Sequence, residues 1–280
     1  MSGRSLSTMD RIHRASRVLP TKHPFLWFIT AVNLVILLIP TAVIFVASFE
    51  GGSTVSFPPD SLSLYWYSQI PYQTEFIDAF VRSIQVATIS TLVGIPVGTL
   101  ASYGMIKYDI RWRNPLQIYL LLPFMIPLVV SGIIFTTIFG QLQIYGETWT
   151  IGLALTIINL PFMLWSVNSR VNAIDKETEN AAKNLGAEEL QTFVYVTFPK
   201  LLPGIITGAL IMFTLGLNEF VVSLLITTRD TVTLPVMLYT AIRSDISPLI
   251  AAIASIYILI AIVAVLAVDK VASLEDFLKS

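Results

Sequence analysis

Six stretches of the chain are apolar over roughly 20 residues and bounded by charged positions, the length a helix needs to cross a hydrocarbon layer about 30 Å thick. They run from about Leu26 to Phe49, Ile84 to Met105, Leu116 to Phe139, Ile151 to Val167, Leu201 to Ile226 and Leu249 to Val268. In lipid every backbone amide needs an internal partner, and runs of this length satisfy that only as helices. The period-two alternation of a membrane barrel is not seen. The pattern therefore predicts an all-α integral membrane protein of six transmembrane helices. Residues 26–268 form the membrane domain, between terminal segments 1–25 and 269–280. The first run is too long for a signal peptide and lacks a small-residue cleavage site after it, so it reads as a retained helix. Pro96 with Gly94 and Gly98, Pro123 and Pro127, Pro161, and Pro203 with Gly204 and Gly208 fall inside these runs. They serve close helix packing or act as hinges.

Composition agrees. Of 280 residues, 55% are hydrophobic and 12% charged, and mean hydropathy is +0.75, whereas soluble domains carry about 25% charged residues. Cysteine is absent, and the two histidines, His13 and His23, precede the first run. A thiolate or histidine metal site inside the membrane is thus not expected. Charge is more informative by position than in total. Arg4, Arg11, Arg14, Arg17 and Lys22 precede the first run; Lys107, Arg111 and Arg113 follow the second; Arg170, Lys176, Lys183 and Lys200 follow the fourth; Lys270 and Lys279 follow the sixth. That places fourteen of seventeen basic residues on one side, leaving Arg82, Arg229 and Arg243 on the other. By the positive-inside rule both termini face the cytoplasm, in an inner (plasma) membrane. The longest external segment, Glu50 to Phe80, holds Tyr65, Trp66 and Tyr67, a cluster that reads as a headgroup-level anchor.

The most informative cytoplasmic stretch is 171–203, VNAIDKETENAAKNLGAEELQTFVYVTFPKLLP. Asp175 is placed to cap a short helix whose first turn holds Glu177 and Glu179, where carboxylates favour the positive end of the helix dipole. Ala181 and Ala182 give it a small face, and Gly186 has the backbone freedom to end it. A second short helix starts at Glu188 and Glu189 with Leu190, Phe193, Val194 and Thr197 at helical spacing, and Pro199 is expected to end that run. Such a pair either sits in a partner's groove or lies on the membrane surface and merely joins two spans.

The run Asn180-Ala181-Ala182, then Gly186, then Pro199 before the next span resembles the EAA loop of permease subunits of bacterial and archaeal ATP-binding-cassette importers, and the likeness extends over NLGAEELQTFVYVTFPKLLPGIITGAL. One departure is that Asn180 stands where the family has a glutamate, with Glu179 one place earlier. The resemblance implies a type I importer permease in which this helix pair couples to a cytoplasmic ATPase through Glu179, Asn180, Ala181, Ala182, Gly186, Ala187 and Phe193. Ser63-Leu64-Tyr65-Trp66-Tyr67, Gly98 to Tyr103, Leu122-Pro123, Ile126-Pro127, Asn218 to Val222 and Thr233 to Val236 are similar to one branch, the permeases for spermidine and putrescine. Other branches carry ferric iron, thiamine, phosphonates or sugars. The family pattern implies a second permease subunit, two ATPase subunits that bind ATP and Mg, and an external solute-binding protein, all in a lipid bilayer and none involving nucleic acid. The chain itself has no phosphate-cradling G-x-x-x-x-G-K-[ST] loop, so neither a cofactor nor an enzymatic activity of its own is expected.

Glu219, beside Asn218, is the clearest ionisable residue at membrane depth. It either lines the translocation pathway with Asn218, drawing in a cation or holding a gate, or it pairs with an arginine or snorkels to the outer surface. Two rival classes remain in view. An ion-coupled secondary transporter is expected to show ion-binding residues in broken helices, none of which is evident from the sequence. A membrane-embedded enzyme needs a convergent acid–base or metal cluster, and none is evident either.

Overall fold

The computed structural model describes residues 24–108, 110–174, 176–244 and 246–277. Among them the regular structure is helix, apart from one isolated antiparallel bridge between Glu50 and Leu62. The basic N-terminal segment before residue 24 and the expected cap Asp175 lie outside the described residues. In chain order the helices are α1 (Pro24–Ala47), α2 (Tyr65–Gln69), α3 (Thr74–Lys107), α4 (Arg113–Met125), α5 (Leu128–Gln141), α6 (Thr148–Val171), α7 (Lys176–Asn184), α8 (Glu189–Thr192), α9 (Phe198–Asn218), α10 (Val221–Ile226), α11 (Leu234–Ser244) and α12 (Pro248–Phe277).

Four of the six apolar runs are single helices, α1, α3, α6 and α12, and two are broken. The third run, expected as one helix, bends by 96° between α4 and α5. Ile126 is extended there (φ −75°, ψ 135°) because the ring of Pro127 excludes the residue before it from the helical region. The elbow opens an apolar cavity of 460 Å³ lined in part by Pro123, Ile126, Phe135 and Ile158. The fifth run, also expected as one helix, stops at Asn218, and Glu219 is extended (φ −70°, ψ 126°) before α10. Pro199, conversely, does not end its run, and helix continues from Glu189 to Asn218. A π turn at Phe193–Thr197 precedes α9, and Pro199 falls in the first turn of α9, where its missing N–H costs little.

The core is α3, α6 and α9, whose backbones approach through glycines. A side chain at Gly98 would run into Met163, one at Gly208 into Met163 and Ser166, and one at Gly204 into the Ser166 carbonyl and Arg170. With little hydrophobic force between helices in lipid, such close van der Waals packing holds the bundle together. Buried Met163, Val167, Leu201, Ile205 and Met212 fill the seam. At the other end Ile151, Leu155 and Ile158 of α6 pack with Val222 and Ile226 of α10 and Phe139 of α5.

Helix α11 lies where apolar length alone predicts only an external loop. Leu234 and Leu238 pack with Ala79 of α3 and with Ile250 and Ile253 of α12. The aromatics after α1 divide. Tyr65 is exposed, while Trp66 donates to the Gly52 carbonyl (3.0 Å) and Tyr67 bridges Ser48 (2.7 Å) and Ser255 (2.8 Å), tying α1, α2 and α12 together. Glu50, just after α1, is buried. Its carboxylate accepts from the Ser56 hydroxyl and from the Gly52 (3.0 Å) and Asp60 (3.3 Å) amides. These donors, Ser56 above all, hold its pKa down to about 2, because they favour the charged form.

Candidate coupling segment and the broken spans

Helix α7 carries Glu177 and Glu179 in its first turn and Lys183 in its last, which complements the helix dipole at both ends. It stops in a Schellman arrangement: Gly186 N–H donates to the Lys183 carbonyl (2.9 Å) and Ala187 N–H to the Ala182 carbonyl (3.1 Å), with Gly186 at φ +92°. Only a residue without Cβ adopts that angle at no steric cost, as the sequence suggested. Helix α8 opens with a capping box. The Glu188 side chain takes a backbone N–H, and Gln191 Oε1 accepts the Glu188 amide at 3.0 Å.

One side of this segment is fastened to the end of α3. Glu179, whose side chain is 13% exposed, accepts from Tyr103 (3.3 Å) and Thr197 (2.5 Å) and lies 3.7 Å from Lys107 Nζ. Lys107 also pairs with Glu189 at 2.9 Å and donates to the Tyr103 hydroxyl. Glu189 is reached in addition by Lys183 (3.5 Å) and Tyr108 (3.4 Å). The Phe193 ring lies 4.9 Å from that of Tyr103. Glu179 and Phe193 thus face the chain's own helix. Asn180 and Ala181 are exposed, and Ala182 and Ala187 half-buried. Leu185 and Leu190 join the open side, 90% and 72% exposed; helical spacing marks Leu190 as part of an apolar stripe, whereas Leu185 is not singled out by motif or spacing. An apolar residue directly before the stop glycine was the available signal.

Glu219 occupies the break in the fifth run. Its Oε1 accepts the Val222 amide (2.7 Å), and its Oε2 accepts the Ser223 amide (2.9 Å) and hydroxyl (2.9 Å). The carboxylate is therefore the cap of α10, neither paired with arginine nor reaching for the surface. At the end of α9, Tyr257 of α12 donates to the Leu217 carbonyl (2.6 Å) and Asn218 to the Thr214 carbonyl (2.8 Å). Backbone groups freed at membrane depth must be satisfied in some such way. α10 in turn seats on α5: Leu225 lies against Gly132, and its carbonyl accepts from Thr136 (3.0 Å) and Tyr145 (3.2 Å). The two breaks are joined through this contact. An ion-coupled transporter was disfavoured in part for want of broken helices, and on that point the structure differs, since two spans are broken.

Residues 94–274 match the family described as binding-protein-dependent transport system inner membrane component. The chain belongs to this family. It is 27% identical over 245 residues to the spermidine/putrescine transport system permease protein PotC of Escherichia coli K12, covering 88% of this chain and 92% of that one. It is 26% identical over 202 residues to the putrescine transport system permease protein PotI of the same strain, covering 69% and 72%. The fold matches the crystal structure of a bacterial ABC transporter involved in the import of the acidic polysaccharide alginate, with a TM-score of 0.70 at 17% identity over 96% and 99% of the two chains. A second structure, of the alginate transporter in complex with a pentasaccharide-bound periplasmic protein, gives 0.65 at 15% identity over 89% and 93%. As a family member the chain is a multi-pass permease subunit of an ABC importer, with type I architecture. The ion-coupled and enzymatic readings give way to it.

Proposed function

We propose that the chain is one of two permease subunits enclosing a solute path, driven by two cytoplasmic ATPases that hold ATP and Mg and supplied by an external solute-binding protein, with both termini cytoplasmic. The observation that carries this reading is the two-sidedness of the segment from α7 to α8. One side is locked to α3 by Glu179, Glu189 and Phe193, and the other presents Asn180, Ala181, Leu185 and Leu190. Burying a leucine stabilises by about 1.5–3 kcal/mol, so two exposed leucines on an ordered turn suit a partner's groove. Because Glu179 is engaged within the chain, the partner meets the neutral Asn180 where the family presents an acid.

The solute is a polyamine in this reading, which rests on the likeness to PotC and PotI. Glu219 and Asn218 belong to the pathway as its shape, at the junction of the two breaks, since the carboxylate is already committed to α10. Cation contacts along the path then come from carbonyls near the breaks and from aromatic faces such as Phe220, 4.7 Å from Tyr239. The test is ATP-dependent uptake of labelled spermidine and putrescine by proteoliposomes holding both permeases, the ATPase and the binding protein. Saturable uptake of either is expected, unaffected by excess thiamine or ferric iron. Inhibition by one of those solutes instead would reassign the substrate.

Coupling can be tested apart from the solute. Gly186→Val meets open space, with nothing within 4 Å of its Cβ, so its cost is backbone strain of about 1–3 kcal/mol at a positive φ. ATPase co-purification is expected to weaken several-fold with membrane insertion unchanged, while Gly186→Asn, which tolerates this angle, stays near normal. Equal retention of the ATPase by both variants would count against the docking role.

A further inference from the structure

Helix α3 is a single helix of 34 residues, about 50 Å long at 1.5 Å per residue, and segments outside the bundle core grip it in its last turn and again in its third. At one end Lys107 and Tyr103 hold Glu179, Glu189 and Phe193 of the coupling segment. In the third turn Arg82 Nε donates to the Val232 carbonyl (2.8 Å), and the Ser83 hydroxyl accepts the Leu234 amide (2.8 Å) at the start of α11. Ser83 and Leu234 are buried, so that joint has little room to slip. Between these joints α3 packs along α6 and α9 through close contacts such as Gly98 against Met163.

We propose that Lys107 is a positioning residue that makes the coupling segment and α3 one mechanical body, so that displacement of the segment is delivered through Arg82 and Ser83 to the outer turn before α11. Lys107 suits this role because one ammonium joins two carboxylates from two separate short helices, Glu179 of α7 and Glu189 of α8, to α3. A hydroxyl at 107, with one hydrogen to donate, could hold one of them at most, and an amide would bring no charge to either. The ion pairs are shielded on the Glu179 side and open on the Glu189 side, at 13% and 55% exposure. The inner pair therefore sets position, while the outer one weakens with salt.

This inference rests on the coupling segment being the ATPase contact, and the two readings fail differently. Co-purification of the ATPase reports on the docking. The state of the outer turn reports on the lever. The chain has no cysteine, so Val232→Cys gives a single reporter on this chain, read on its own gel band from the assembled complex in nanodiscs, where both faces are accessible. Its labelling rate by a maleimide is measured without nucleotide and with ATP plus vanadate. With Lys107 present, ATP and vanadate are expected to change the rate at least three-fold. Lys107→Met should abolish that change while the ATPase still co-purifies, and Lys107→Arg, which keeps the charge, should restore it. If the Lys107→Met chain does not assemble, Arg82→Met cuts the opposite joint and is expected to give the same loss. A nucleotide-dependent change that persists in either methionine variant, or that is missing when Lys107 and Arg82 are intact and the ATPase is bound, overturns the proposal.

Discussion

Gly204→Leu should weaken the packing of the central helices by about 3 kcal/mol. A Cβ at 204 would lie 2.7 Å from the Ser166 carbonyl oxygen and 2.7 Å from Arg170 Cγ, and the first of these is backbone that cannot rotate away. Overpacking of a tight seam costs about 1–3 kcal/mol. Leucine adds three further carbons beyond that Cβ, so a loss at the upper end of the range is expected. The seam between α6 and α9 carries Met163, Val167, Leu201 and Ile205, and separating it would expose all four. The measurement is thermal unfolding of the detergent-solubilised chain, with Gly104→Ala as its companion. Gly104 lies in α3, and a methyl group there would meet nothing within 4 Å, so alanine should be neutral or add up to about 1 kcal/mol through helix propensity. Equal behaviour of the two variants would show that these glycines are not what lets the helices approach.

Glu219→Ala is expected to unseat α10. The substitution removes three accepted hydrogen bonds, two of them from amides at the start of that helix. Loss of a cap costs about 0.5–2 kcal/mol, and hydrogen bonds to a charged acceptor contribute about 1.5–3 kcal/mol. The overlap of these ranges, about 2 kcal/mol, is the loss expected for this cap. Glu219→Gln retains one oxygen and should fall between the two. The readout is amide hydrogen exchange at Val222 and Ser223, which should quicken in Gln and more in Ala. The alternative, a carboxylate that only attracts a cationic solute, predicts reduced uptake with exchange unchanged. Glutamine separates the two because it keeps the shape and removes the charge.

Much of this architecture is legible in the sequence, and the places where it is not have physical reasons. The span positions follow from apolar length, which the bilayer imposes directly. The ordered segment from α7 to α8 can be read from Gly186, Glu177 and Glu179, because stop and start signals act locally. Both breaks escape a hydropathy reading, though each has its mark. Pro127 follows a residue it forces out of the helical region. Glu219 is an acid within an apolar run whose partners are the amides three and four residues on. Hydropathy averages over both positions, and proline within a membrane helix is common enough to pass as a kink. Pro199 misleads in the opposite sense, since a π turn before it carries the helix through.

The inward orientation of Glu179 is beyond a one-dimensional reading. Its partners, Tyr103 and Lys107, lie more than seventy residues away in sequence, and α3 meets α7 only once the bundle has formed. Helix α11 shares that dependence, as Leu234 and Leu238 find Ala79 and Ile253 across the chain. Glu50 escapes for a simpler reason, because its donors come from a turn whose shape no local signal announces.

The central claim, that the segment from α7 to α8 is where ATP hydrolysis enters this permease, is tested most directly by cross-linking. Leu185→Cys places a thiol at the most exposed apolar position of the turn, and Asp60→Cys places one in the loop that follows α1 as a control. Both are treated with a short bifunctional thiol reagent in complexes purified with the ATPase. A cross-link to the ATPase is predicted from position 185 and none from position 60. An assembled complex in which position 185 never reaches the ATPase, or position 60 does so equally, would contradict the claim.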